Sequence, residues 1–119
     1  MHGKTLVLKG ELRSTEDVTI DGRIEGPVFC EGGSVTVVES ASVTGDILAS
    51  EITVFGQSAG QLTASGLVDI RAGATVSGRV VAKRFILDAD ARFNGRVEPQ
   101  HLEAALRVAR YQEKAQQKQ

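Results

Sequence analysis

The feature that most limits what this chain can fold into is a five-residue signature: apolar, any residue, Gly, polar, apolar. It returns six times. The copies are Leu8-Lys9-Gly10-Glu11-Leu12, Ile24-Glu25-Gly26-Pro27-Val28, Val43-Thr44-Gly45-Asp46-Ile47, Ser58-Ala59-Gly60-Gln61-Leu62, Val76-Ser77-Gly78-Arg79-Val80 and Phe93-Asn94-Gly95-Arg96-Val97. The fourth is degenerate, with Ser58 where the others start on a large apolar residue. The glycines fall 16, 19, 15, 18 and 17 residues apart, about 17 per unit.

Each unit after the first also carries an apolar-x-apolar element ahead of its glycine: Val18-Thr19-Ile20, Val35-Thr36-Val37, Ile52-Thr53-Val54, Val68-Asp69-Ile70 and Phe85-Ile86-Leu87. Such period-2 alternation is the mark of a half-buried strand. A third short element follows the glycine and holds a recurring small residue: Cys30, Ala49, Ala64 and Ala82. Three short strands in 15 to 19 residues leave no room for a helix. The chain must turn tightly and return above its own start, as in one coil of a β-solenoid. With 4% aromatic residues and no Trp, the core must be thin layers of Val, Ile, Leu and Ala. Glycine at the recurring corner is expected because a Cβ there would crowd the coil axis. The uneven spacing is expected to come from insertions of a residue or two at corners. The fold class is therefore all-β: a single parallel β-helix of about five to six coils over residues 5–98, preceded by a short tail, 1–4.

A coil cannot bury its own apolar face, so the end coils offer unpaired backbone and apolar side chains to a further copy. The predicted subunit interface is Leu6, Leu8, Leu12, Val18 and Ile20 at one end, and Phe85, Leu87, Phe93 and Val97 at the other. Beyond Val97 the composition changes abruptly. Leu102, Ala105, Leu106 and Ala109 recur at helical spacing, which predicts a C-terminal amphipathic helix within 99–119. Residues 107–119, with Arg107, Arg110, Lys114 and Lys118 against Glu113, carry a local charge of +3. The whole chain carries -1, so the remainder stands at about -4. The expected roles are a basic partner-binding tail, an ordinary solvated terminus, or a helix docked on the rod, where it would cover an open end.

No catalytic, cofactor-binding or metal-ligating set is predicted. Gly22-Arg23-Ile24-Glu25-Gly26 and Glu31-Gly32-Gly33-Ser34 lack the Gly-Lys-Ser/Thr order of a phosphate loop. His2 and His101 lie outside the repeat, so no histidine base is available within the coils. That, and a spacing unlike a strict six-residue count, also argues against a hexapeptide-repeat acyltransferase. The outward acids Asp21, Asp46, Asp69, Asp88 and Asp90 are isolated on a convex rod. Arg23, Arg71, Arg79, Lys83, Arg84, Arg92 and Arg96 alternate with acids and lack interleaved aromatics, so nucleic acid is not an expected partner. Cys30 shares the slot of Ala49, Ala64 and Ala82, which marks it as a stacked core residue. No apolar run reaches the ~20 residues of a membrane span, and Met1-His2-Gly3-Lys4 runs straight into Thr5-Leu6-Val7-Leu8, too short for a signal sequence. The expected location is cytoplasmic.

The stretch Asp17-Val18-Thr19-Ile20-Asp21-Gly22-Arg23-Ile24-Glu25-Gly26, with the spaced glycine units through Val97, resembles the bactofilin domain. The resemblance implies a right-handed β-helix and a bacterial cytoskeletal protein that polymerises end to end, without nucleotide or other cofactor, into nonpolar filaments. It implies homopolymeric self-association through an apolar residue of the last coil, at the place of Phe93 or Phe85. A scaffold role in cell shape follows, with cell-wall enzymes or other clients as partners. Family members often touch the inner face of the membrane through an N-terminal tail, which here is only Met1 to Lys4. Family flanks are usually disordered, whereas this C-terminal tail reads as helix. That difference implies an alternative role: a non-polymerising adaptor whose C-terminal helix caps the rod and binds a partner.

Overall fold

A computed structural model describes residues 7–98 of the 119-residue chain. The expected tail 1–4, Leu6 and the expected helix in 99–119 lie outside the described residues. Within them the strands are β1 (Val7–Lys9), β2 (Leu12–Arg13), β3 (Val18–Ile20), β4 (Arg23–Glu25), β5 (Val28–Val37), β6 (Ser42–Thr44), β7 (Ile47–Val54), β8 (Gln57–Ala59), β9 (Leu62–Ile70), β10 (Thr75–Leu87) and β11 (Arg92–Glu98). All pair in parallel, each with the strand one coil away.

The result is a three-faced parallel β-solenoid of five complete coils, plus two faces of a sixth, among the described residues. The first face stacks β1, β4, β6, β8, the start of β10 and β11. The second runs through β2 and the starts of β5, β7 and β9 to the middle of β10 and the end of β11. The third holds β3 and the ends of β5, β7, β9 and β10.

Four columns of inward side chains run the length of the rod. They are Ile24, Val43, Ser58, Val76 and Phe93 on the first face, and Leu12, Val28, Ile47, Leu62, Val80 and Val97 on the second. The third face contributes Val18, Val35, Ile52, Val68 and Phe85, then Ile20, Val37, Val54, Ile70 and Leu87. Away from the last coil these side chains are almost wholly buried, apart from half-buried Leu12, and form one continuous core. The Cys30, Ala49, Ala64, Ala82 column fills the narrow angle between second and third faces.

The glycine corner has the same length in every coil, and the variation in coil length sits in the other two corners. Between second and third faces the register skips at Cys30–Ser34, where Gly32 and Gly33 are extra relative to Ala49–Glu51. Between third and first faces, the coils with longer spacing insert a turn closed by Ala41 N–H to Val38 O, Ala74 N–H to Arg71 O, or Ala91 N–H to Asp88 O. The shorter coils round that corner on Asp21-Gly22 and Phe55-Gly56 instead.

The glycine corner differs from expectation in its cause. Gly10, Gly26, Gly45, Gly60 and Gly78 have φ between 114° and 135°, and they stack directly on one another up to Gly95. At Gly45 an added Cβ would strike the Gly26 carbonyl, with 2.8 Å to its carbon. The obstruction is thus the neighbouring coil's backbone along the rod, not crowding toward the axis. The corner stays hydrogen-bonded coil to coil, with Gly45 N–H donating to Ala59 O at 2.8 Å and Ile47 N–H to Gln61 O at 2.9 Å.

Two stability measurements check this account. Gly45→Ala meets both a disfavoured φ and a backbone clash, and should lower stability by about 2–4 kcal/mol in urea unfolding. Gly32→Ala, also at positive φ but with nothing within 4 Å of the new Cβ, should cost only about 1 kcal/mol. Ser58 is 3% exposed and its Oγ has no hydrogen-bond partner. Ser58→Ala removes that desolvated hydroxyl and should stabilise by about 1 kcal/mol; an equal loss would show that the hydroxyl is satisfied.

Candidate subunit interface

The four core columns reach the end of the described rod on four large apolar side chains. At the last coil they terminate in Phe93, Val97, Phe85 and Leu87, all predicted interface residues. Leu87 is 43% and Val97 39% exposed, while Phe85 and Phe93 are half-buried against the core. The two rings pack with centroids 5.4 Å apart and planes tilted by 51°, a favourable aromatic geometry that braces the end. Among the described residues no strand lies beyond β11 or the third-face segment of β10, so that edge keeps unpaired backbone groups.

Leu12 is half-buried, but Val18 and Ile20 are 4% and 1% exposed and belong to the core. They share the inward columns of Phe85 and Leu87 but leave little surface of their own. Leu8 pairs with Ile24 across β1 and β4, and Leu6 lies outside the described residues.

Ile86 was missed by the sequence reading, although at 49% it is the most exposed large apolar residue described. Its signal was present. It ends an outward column that reads Thr19, Thr36, Thr53, Asp69, Ile86, polar in every coil until the last.

The outward acids have local structural roles. Asp46 Oδ1 accepts the Gln61 N–H at 3.0 Å, Asp21 Oδ1 accepts the Ser40 hydroxyl at 3.1 Å, and Asp88 Oδ1 accepts the Asp90 N–H at 2.8 Å. Asp69 lies 3.5 Å from Arg71. The described residues contain no group of three or more His, Cys, Asp and Glu placed to hold a metal, and no helix long and apolar enough to cross a membrane. Their surface hollows are open. One such hollow is lined by Arg13, Ser14, Thr15, Glu16, Phe29 and Glu31, and another by Gly78, Arg79, Gly95, Arg96 and Glu98.

Comparison with known proteins bears directly on this geometry. The bactofilin profile, described as polymer-forming cytoskeletal, matches residues 2–98. The chain belongs to the bactofilin family. Among curated bactofilins it is 29% identical over 96 residues to bactofilin BacO of Myxococcus xanthus (strain DK1622), covering 81% of this chain and 75% of that one. Bactofilin BacP of the same organism is 28% identical over 96 residues, again 81% of this chain but only 40% of BacP's length. Among solved structures the fold matches a cryo-EM reconstruction of Thermus thermophilus bactofilin double helical filaments. The TM-score is 0.76 with 26% identity, over 82% of this chain and 95% of that one. Membership places the chain among polymer-forming cytoskeletal proteins, and the matched filament supports self-association.

Cys30, whose slot the sequence identified, is completely buried, with Sγ 3.1 Å from the Glu16 carbonyl oxygen. Burial pushes its thiol pKa above the ordinary 9.0, the nearby Asp17 charge adds to this, and a hydrogen bond from the Gly33 backbone opposes it. The folded state therefore binds the thiol proton more tightly than the unfolded state. Cys30's contribution to stability is complete below pH 9.0 and falls as pH rises through the higher folded value. Cys30→Ala should abolish that part of the decline, read as the difference between variant and parent urea midpoints across pH 8 to 10.5, a range of roughly one to two units either side of the thiol.

Proposed function

We propose that this bactofilin is a cytoskeletal structural protein that joins end to end, without nucleotide, into nonpolar filaments. The filaments act as a cytoplasmic scaffold that holds client proteins in place, cell-wall enzymes among them, in support of cell shape. The carrying observation is that, among the residues whose burial is described, the large exposed apolar ones, Ile86, Leu87 and Val97, lie on the last coil. A parallel stack that ends without a cap has its strongest remaining interaction with another stack, because one contact buries both apolar layers at once. The junction needs no bound cofactor, since its attraction is the one that already joins coil to coil.

Nonpolarity has a physical signature. A like-to-like end contact is isologous, so a nonpolar filament must alternate two junctions, last coil to last coil and first coil to first coil. Phe93→Arg buries an unpaired charge at one of them only. The expected outcome is loss of fibres in negative-stain microscopy, with dimers in sedimentation held by the remaining junction. Monomers would point to a polar, head-to-tail filament, and fibres of normal length would overturn the end-to-end junction at this coil. Because Phe93 also packs on the core, Leu87→Glu provides a second variant at a more exposed position, with circular dichroism reporting that the fold survives.

A further inference from the structure

Charge along both edges of the second face changes sign from one end of the rod to the other. At the glycine corner the outward column begins with Glu11, passes Pro27, Asp46 and Gln61, and ends in Arg79 and Arg96. At the opposite edge Glu31 follows the inward Cys30, Ser50 and Ser65 follow Ala49 and Ala64, and Lys83 follows Ala82. Between the edges the face reads Arg13, Phe29, Leu48, Thr63, Val81 and Glu98. Apolar content does not single out this face, since Val38 and Phe55 also stack, partly exposed, at the corner between third and first faces. The order of charges does: that other corner carries acids toward both ends, Asp21 and Glu39 at one, Asp88 and Asp90 at the other.

A surface whose charge reverses along its length is complementary to a copy of itself turned end for end. We propose that the second face is a lateral self-association surface, on which two rods of this chain lie antiparallel about a two-fold axis passing between the third and fourth coils. That axis sets coil one against six, two against five and three against four. Glu11 then faces Arg96, Arg13 faces Glu98 and Glu31 faces Lys83, while Phe29 meets Val81 and Leu48 meets Thr63. No two like charges fall opposite one another in these three columns. Within each copy Arg13 pairs with Glu11, and Glu98 with Arg79 and Arg96, so the two clusters meet with each charge beside a counter-ion. Glu31 and Lys83 are exposed and form no ion pair among the described residues. A parallel mate, related by an axis along the rod, would instead bring Arg13 to Arg13 and Arg79 to Lys83.

The face is six coils long and about four residues wide, roughly 24 by 13 Å, so each copy covers about 300 Å², well under the ~800 Å² per partner of a stable pair. Single rods therefore meet only transiently, and firm pairing belongs to filaments, which line up many such contacts; that last step alone rests on the end-to-end reading above. The test is disulfide capture under mild oxidation in the full chain, whose own Cys30 is wholly buried. Glu31→Cys mixed with Lys83→Cys should give dimers joined from position 31 to position 83, while neither variant alone should crosslink. No crosslink in the mixture would overturn the proposal, as would Glu31→Cys joining to itself, and both results stand whether or not fibres form. In negative stain Lys83→Glu, which places two like-charged contacts in every pair, should convert paired filaments into single ones, and adding Glu31→Lys should restore the pairs. Single filaments in the parent chain, or pairs indifferent to Lys83→Glu, would overturn it. Absence of any fibre would count against the end-to-end junction alone, and the crosslink would still decide.

Discussion

Everything in this molecule depends on the direct stacking of one coil on the next at the glycine corner. There the chain turns from first face to second with the neighbouring coil's backbone in van der Waals contact, so the corner has no room for a Cβ and no freedom in length. Because that corner is constant, the four inward columns start each coil in register whatever happens later in the coil. A one-residue slip would invert every side chain between core and surface, and the repeated glycine prevents it once per turn. The other corners can then absorb two glycines at Gly32-Gly33, or a turn at Glu39-Ser40, without disturbing the columns.

The same stacking explains why the rod has chemistry at its ends rather than along its sides. In the middle coils every apolar layer is covered above and below. The outward acids are engaged in backbone and side-chain hydrogen bonds or a nearby ion pair, and the single thiol is buried in a slot that alanine fills elsewhere. The last coil has a layer beneath it and, among the described residues, none above. Its Phe85 and Phe93 rings pack on each other, which stiffens the terminal layer and lowers the conformational entropy lost when a second rod is placed on it.

Much of this was legible in the residues because a solenoid repeats one local rule. The Gly-centred signature gave the coil length, the period-2 elements gave the inward columns, and even degenerate Ser58 kept its place as a buried column member. What was not legible required knowing what lies above and below. Val18 and Ile20 carry the same pattern as Phe85 and Leu87, yet the former are enclosed and the latter are open. Alternation states which way a side chain points but not whether another layer covers it. The cause of the glycine requirement was hidden for the same reason. A corner drawn from one coil suggests crowding at the axis, whereas the obstruction is a carbonyl of the coil before.

The distinction between ends and sides bears on how such a rod controls its own assembly. An uncapped stack has no intrinsic limit on growth, since each added copy brings a free end of its own. Lateral joining is different, because it draws on side chains that take no part in the coil-to-coil register and can vary without harm to the fold. In this chain the polar third-face column and the apolar second-face column sit on the same scaffold and differ only in outward residues, Thr36 against Phe29 and Thr53 against Leu48 in the same two coils. Outward residues can therefore differ from face to face without touching the core, because no inward residue belongs to either outward column.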